Sequence, residues 1–189
     1  MRVIAGSAKG RSLASVPGTA TRPITDRVKE SLFNILGDAV IGAHFLDLFA
    51  GTGGVGIEAL SRGAERAVFV EHNRRAIATI RENLRTTGLA TRAQVQQADV
   101  FSYLKKTPSE PFDFIYVAPP QYEGLWLDAV HALDKLPWLA PNGEIIVQIF
   151  PKELQPFELE HLTIFEQRQY GSTLLVFLAR REDVAEDEE

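Results

Sequence analysis

Two stretches of this 189-residue chain bring together residue types capable of chemistry. The first is DLFAGTGGVG, residues 47–56. Here Gly51, Gly53 and Gly56 satisfy G-x-G-x-x-G between a strand-like run and a helix-like one, the setting a nucleotide-binding turn requires. Asp47 stands at the mouth of that turn, and Glu71 ends the next apolar run, 18 residues beyond Gly53. That spacing suits an acid that grips ribose hydroxyls. Asp99 follows a third such run in QQADVF. The second stretch is DFIYVAPPQYE, residues 113–123, where an apolar strand meets two prolines. Prolines fix the backbone and bring no N–H, so the corner presents carbonyl oxygens. Ala118 adds no side-chain acceptor, whereas Gln121 adds an amide and Tyr122 an aromatic ring.

The glycine turn alone would suit a nicotinamide dinucleotide. Asp47 argues against it, because a carboxylate there would face a pyrophosphate across a poorly solvated gap. S-adenosylmethionine has no phosphate and carries an amino group and a sulfonium, so an acid at Asp47 favours it. The glycines let the backbone approach a nucleoside, and the helix N-terminus can receive the methionine carboxylate. Asp99 is placed to accept from an adenine amine. Each of these acids can equally cap the helix that follows it.

Other chemistries find little support. His44, His72, His131 and His161 lack metal-ligand spacing, so no metal site is expected. There is no G-x-S-x-G elbow. With no cysteine, the chain has no disulfide, no thiolate metal site and no thiol nucleophile. No apolar run approaches the roughly 18 residues of a membrane span, and MRVIAGSAKG lacks a signal peptide's apolar stretch. A cytoplasmic monomer is the expectation.

Positioning these residues requires a regular scaffold. HFLDLF (44–49), AVFVE (67–71), AQVQQ, FDFIYV and GEIIVQIF read as strands. Helices are expected over 26–36, 54–62, from Asn73 to Gly88 and around 124–135, with Thr25 and Asn73 as N-caps. LTIFEQRQY and STLLVFLAR read as a closing antiparallel pair. Such alternation specifies an α/β fold with a parallel sheet covered on both faces, and ligands at the strands' carboxyl ends. Trp126 and Trp138 flank the helix after the corner and are expected in the core.

Charge divides the chain unevenly. Residues 1–35 carry six bases (Arg2, Lys9, Arg11, Arg22, Arg27, Lys29) against two acids, whereas EDVAEDEE (182–189) carries six acids and no base. Without that tail the net charge of −5 becomes about +1. The basic arm suits phosphates, although Asp26, Arg27, Lys29 and Glu30 also read as solvated helix charges. The domain reading is a basic extension over 1–24, a catalytic domain over 25–181 and an acidic disordered tail over 182–189.

MRVIAGSAKGR, RPITDRVKESLFN, LDLFAGTGGVGIEALSRGA and APPQYEGLW together resemble the RsmD family of bacterial rRNA guanine-N2 methyltransferases over nearly the full length. The resemblance implies a Rossmann-like seven-stranded sheet, S-adenosylmethionine as donor, and a guanine amine in small-subunit rRNA or a ribosomal particle as acceptor. It implies donor contacts from Asp47, Phe49, Gly51, Gly53, Glu71, Asp99 and Val100, and RNA contacts from Lys9, Arg11, Arg22 and Arg27. The family's corner usually reads Asp or Asn, Pro, Pro, then Tyr or Phe, so Ala118 and Gln121 depart from it, around Pro119 and Pro120. Three readings follow. The corner works through backbone carbonyls, the Gln121 amide and a stacking Tyr122; or the protein binds S-adenosylmethionine or rRNA without transfer; or the corner is only a stiff turn.

Overall fold

The computed structural model describes residues 1–16 and 23–186; Arg22 and the last three acids of the tail lie outside the described residues. Helix α1 (Asp26–Leu36) begins at Thr25, whose hydroxyl accepts from the Val28 N–H at 3.3 Å. Strands and helices then alternate through β1 (His44–Leu48), α2 (Gly54–Ser61), β2 (Arg66–Glu71), α3 (Arg74–Thr87), β3 (Ala93–Gln97), α4 (Val100–Leu104), β4 (Phe112–Val117), α5 (Leu125–Lys135) and β5 (Leu139–Ile149). The chain closes with β6 (Leu162–Tyr170), β7 (Thr173–Arg180) and α6 (Arg181–Glu186). The seven strands order as β3-β2-β1-β4-β5-β7-β6. The first five are parallel, and β7 runs antiparallel between β5 and β6.

Alternation along the strands divides two cores. Phe45, Phe69, Phe114 and Phe177 pack with α1, α2 and α3 on one face, whereas Leu46, Val70, Ile115 and Val147 pack with α4 and α5 on the other. Trp126 and Trp138 lie in the second core, and the indole N–H of Trp138 donates to the Leu104 carbonyl at 3.1 Å. Asn73 caps α3 by accepting from the Arg75 and Ala76 N–H groups. Three details differ from the sequence reading: the short helix α4 follows β3 where the helical pattern singled out none, and the others concern β5 and the tail. Strand β5 begins at Leu139 rather than Gly143, because the turn residues Pro141 and Asn142 are absorbed where its register against β4 shifts. The acidic tail, expected to be disordered, starts with α6, where Asp183 accepts from the Asn142 N–H at 2.9 Å.

The basic N-terminal segment folds back on itself, with Arg2 bridging to Ser12, and Val3, Ala8 and Leu13 enter the first core. Glu58 on α2 holds it in place. This fully buried carboxylate accepts from the Ile4 and Ala5 N–H groups at 2.9 and 3.0 Å, and from Arg62 Nε at 2.8 Å. Lys29 pairs with it at 3.4 Å and donates to the Arg2 carbonyl at 2.6 Å. Burial lowers the Lys29 pKa, and Glu58 opposes the shift. The reading of Lys29 as a solvated helix charge is therefore corrected: its ammonium is fully buried. Gly6 has φ +83 and lies so close to α2 that a Cβ would stand 1.8 Å from the Ser61 carbonyl oxygen.

Removing one partner of a buried ion pair strands the other's charge. Lys29→Met is expected to cost about 3–5 kcal/mol in urea unfolding. Arg2→Ala breaks only an exposed pair with Asp26, 3.5 Å apart, and is expected to cost under about 1 kcal/mol.

Candidate active site

Strands β1 and β4 are neighbours although two strand–helix units separate them in the chain. Their carboxyl ends mark the point where connections diverge to opposite sides of the sheet, and a crevice opens there. It is a cleft of about 1070 Å³. Asp47, Phe49, Gly51 and Glu71 line one part of it, and Ala118, Pro119, Pro120, Gln121 and Tyr122 line another. The two stretches singled out in the sequence thus meet in one cavity.

The glycine turn is held by the acids beside it. Gly51 donates its N–H to Glu71 Oε2 at 2.9 Å, and Gly56 donates to Asp47 Oδ2 at 3.0 Å. Glu71 Oε1 also accepts from the His72 and Asn73 N–H groups at 2.9 and 2.8 Å, which leaves its carboxylate one lone-pair direction for a ligand. Gly56 passes so near β2 that a Cβ would lie 2.4 Å from Phe69 Cε1. Gly53 precedes α2 in the left-handed conformation and supports the turn from outside the cleft lining. Phe49 is a non-glycine residue with φ +59, and its ring meets Phe101 edge-on at 6.3 Å.

Asp99 and Val100 sit at the end of β3, beyond the cleft lining. Asp99 caps α4, its Oδ2 accepting from the Ser102 N–H at 2.9 Å. Lys9, Arg11 and Arg27 are exposed. The N-terminal segment also reaches the cavity, since Met1, Ser15, Pro23 and Ile24 line it.

At the corner, Tyr122 takes φ +61 and is 66% exposed, so a strained residue projects its ring into solvent. Glu153 holds it: Oε1 accepts from the Tyr122 N–H at 2.8 Å and Oε2 from the Phe150 N–H at 2.9 Å. The rings of Tyr122 and Phe150 stack 5.2 Å apart at 14°. Gln121 is exposed, and the buried Tyr116 hydroxyl donates to Gln148 Oε1. Sequence reasoning missed Tyr116, Gln148, Phe150 and Glu153. The visible signals were a tyrosine in FDFIYV and a glutamine in GEIIVQIF, each one residue before the end of its strand.

A model of the family described as conserved hypothetical protein 95 matches residues 1–179. The chain belongs to the RsmD family of rRNA methyltransferases. YlbH of Bacillus subtilis, which bears an rRNA methyltransferase's name, is 40% identical over 183 residues, 96% of this chain and 100% of its own. Ribosomal RNA small subunit methyltransferase D of Haemophilus influenzae is 34% identical over 173 residues, 90% of this chain and 89% of its own. The solved structure of YhhF from Escherichia coli, which carries a methyltransferase's name, superposes with a TM-score of 0.85 at 32% identity, covering 95% of this chain and 97% of that one. The cleft of this RsmD-family member thus holds the glycine turn and the proline corner in one cavity, with an alanine before the prolines.

Burial pushes the Asp47 pKa well above the ordinary carboxylate value; the Gly56 N–H opposes the rise and the Glu71 charge adds to it. A raised folded-state pKa means that Asp47 contributes stability below the ordinary carboxylate range, near pH 4, and loses it as pH climbs through the raised value. Asp47→Asn keeps an oxygen for the Gly56 N–H and removes the buried charge. Its thermal midpoint is expected to gain on the wild type as pH rises from 4 to 8, in parallel melts across that range.

Proposed function

We propose that this protein transfers a methyl group from S-adenosylmethionine to the exocyclic N2 amine of a guanine in small-subunit rRNA. The observation that carries this reading is the buried Asp47 carboxylate in the same cleft as the Pro119–Pro120 corner. A buried acid suits a cationic donor and repels a dinucleotide's phosphates. When bound, S-adenosylmethionine would supply an electrophilic methyl, its sulfur keeping the carbon–sulfur electron pair as the methyl is transferred.

The remaining work falls to residues of this chain. Asp47 faces the donor's positive charge, and Glu71 offers its spare lone pair to the ribose. Gly51 and Gly53 keep the turn close to the nucleoside, with Phe49 walling the cleft beside it. The first turn of α2 receives the methionine carboxylate. Asp99 and Val100, outside the cleft lining, reach the adenine only at its rim. At the corner, the Ala118 and Pro119 carbonyls accept the amine's hydrogens and aim its lone pair, an electrostatic and orienting contribution. Tyr122 offers an open aromatic face to a base lifted out of its RNA stack. Lys9, Arg11, Arg22 and Arg27 meet rRNA phosphates, giving affinity that falls with salt. An acceptor of this kind belongs to the bacterial cytoplasm.

Labelled methyl transfer to unmodified small subunits, followed by nucleoside analysis, is expected to yield N2-methylguanosine. Absence of transfer despite donor binding would favour the silent binding protein, the reading that Ala118 keeps open. Because the donor's cation favours ionised Asp47, donor affinity is expected to rise with pH through that group's raised pKa. Titration calorimetry across pH reads this, and Asp47→Asn is expected both to weaken binding and to flatten the profile.

A further inference from the structure

An exocyclic amine carries two hydrogens, and its lone pair is delocalised into the ring. A side-chain acceptor beside the corner would localise that lone pair, yet position 118 holds an alanine. Gln121, one candidate replacement, sits on an exposed turn and makes no side-chain hydrogen bond among the described residues. Nothing fixes its amide toward the cleft.

The sheet register points elsewhere. Tyr116 lies beside Ile146 and Val117 beside Val147, so continuing one step brings Ala118 next to Gln148 at the end of β5. Period-two alternation then sets Tyr116, Ala118 and Gln148 on one face, the face that also carries Asp47, paired with Tyr116 across β1 and β4. All four residues line the cleft. Gln148 is half-buried, and the buried Tyr116 hydroxyl donates to its Oε1. That contact fixes the amide and spends one of the two lone pairs on its oxygen. The other remains for a ligand, and the small Ala118 side chain leaves the approach open.

We propose that Gln148, held by Tyr116, is the side-chain acceptor for the target amine in place of an acid at position 118. The assignment rests on the methyl-transfer reading above. The amine nitrogen forms its bond to the methyl carbon with its own lone pair, the carbon–sulfur pair leaves on sulfur, and the surplus N–H proton passes to water. Gln148 Oε1 accepts one N–H throughout, a neutral acceptor that takes no proton. Tyr116 is a positioning residue, acting through the amide.

The test compares wild type, Gln148→Leu, Gln148→Glu, Tyr116→Phe and the double variant Gln148→Leu/Ala118→Asp on unmodified small subunits. Donor-site integrity is read by calorimetry with S-adenosylhomocysteine. Gln148→Leu is expected to lower kcat on the order of 10²-fold, with S-adenosylhomocysteine affinity unchanged and the thermal midpoint lowered, because the buried Tyr116 hydroxyl loses its acceptor. Ala118→Asp is expected to recover transfer in the Gln148→Leu background. Gln148→Glu is expected to transfer methyl with a new pH dependence of kcat from its carboxylate, which a purely structural glutamine would not create. Tyr116→Phe is expected to lower kcat by less than Gln148→Leu. Full-rate transfer by Gln148→Leu, or a loss that Ala118→Asp does not recover, overturns the proposal while leaving the methyl-transfer reading intact. A wild type that binds S-adenosylhomocysteine yet transfers nothing overturns both.

Discussion

Glu58 is the interaction on which the arrangement of this molecule most depends. One carboxylate with no solvent access takes two backbone N–H groups from the N-terminal segment, a guanidinium from Arg62 at the end of its own helix and an ammonium from α1. Desolvating such charges is costly, and only a nearly complete set of partners offsets it. That all-or-none character locks the N-terminal segment against α1 and α2 in one geometry. The same segment supplies Met1 and Ser15 to the cleft, so part of the cleft wall is held by an ion pair that does not itself line it.

Within the cleft, the side chains proposed to meet the donor also hold the structure together. Glu71 ties down Gly51 and the start of α3. Asp47 ties down Gly56 and, once ionised, stands uncompensated in a buried site. A neutral asparagine would suit the fold alone better, and the cationic donor proposed above would offset that cost. The two left-handed non-glycine residues at this site, Phe49 and Tyr122, flank the cavity from the glycine turn and from the corner. Backbone held in a sparsely populated conformation on both sides of one cleft is the pattern expected where geometry serves function.

The corner also depends on what lies behind it. Glu153 joins the Tyr122 loop to the end of β5 through two N–H groups, and the stacked Phe150 ring supports Tyr122 from one side. The aromatic is thereby presented on a braced loop rather than a free one. The end of β5 thus lines this side of the cleft through Gln148, and the turn that follows it braces the corner through Phe150 and Glu153.

The sequence by itself determined the elements and the chemistry they carry. Period-two and helical patterns, with Thr25, Asn73 and Gly88 as punctuation, located the seven strands and the longer helices because these signals are local. The glycine turn, its two acids and the proline corner were legible for the same reason: each is a contiguous stretch whose residue types constrain the backbone. Only the tertiary structure decided what crosses between elements. That Lys29 is buried depends on Glu58, which lies 29 residues away in the chain. That Asp99 spends an oxygen on Ser102 and stands outside the cleft lining follows from where β3 ends at the sheet's edge. That Gln148 lies beside Ala118 follows from the register of β4 against β5, set by packing over the whole sheet rather than by either strand alone.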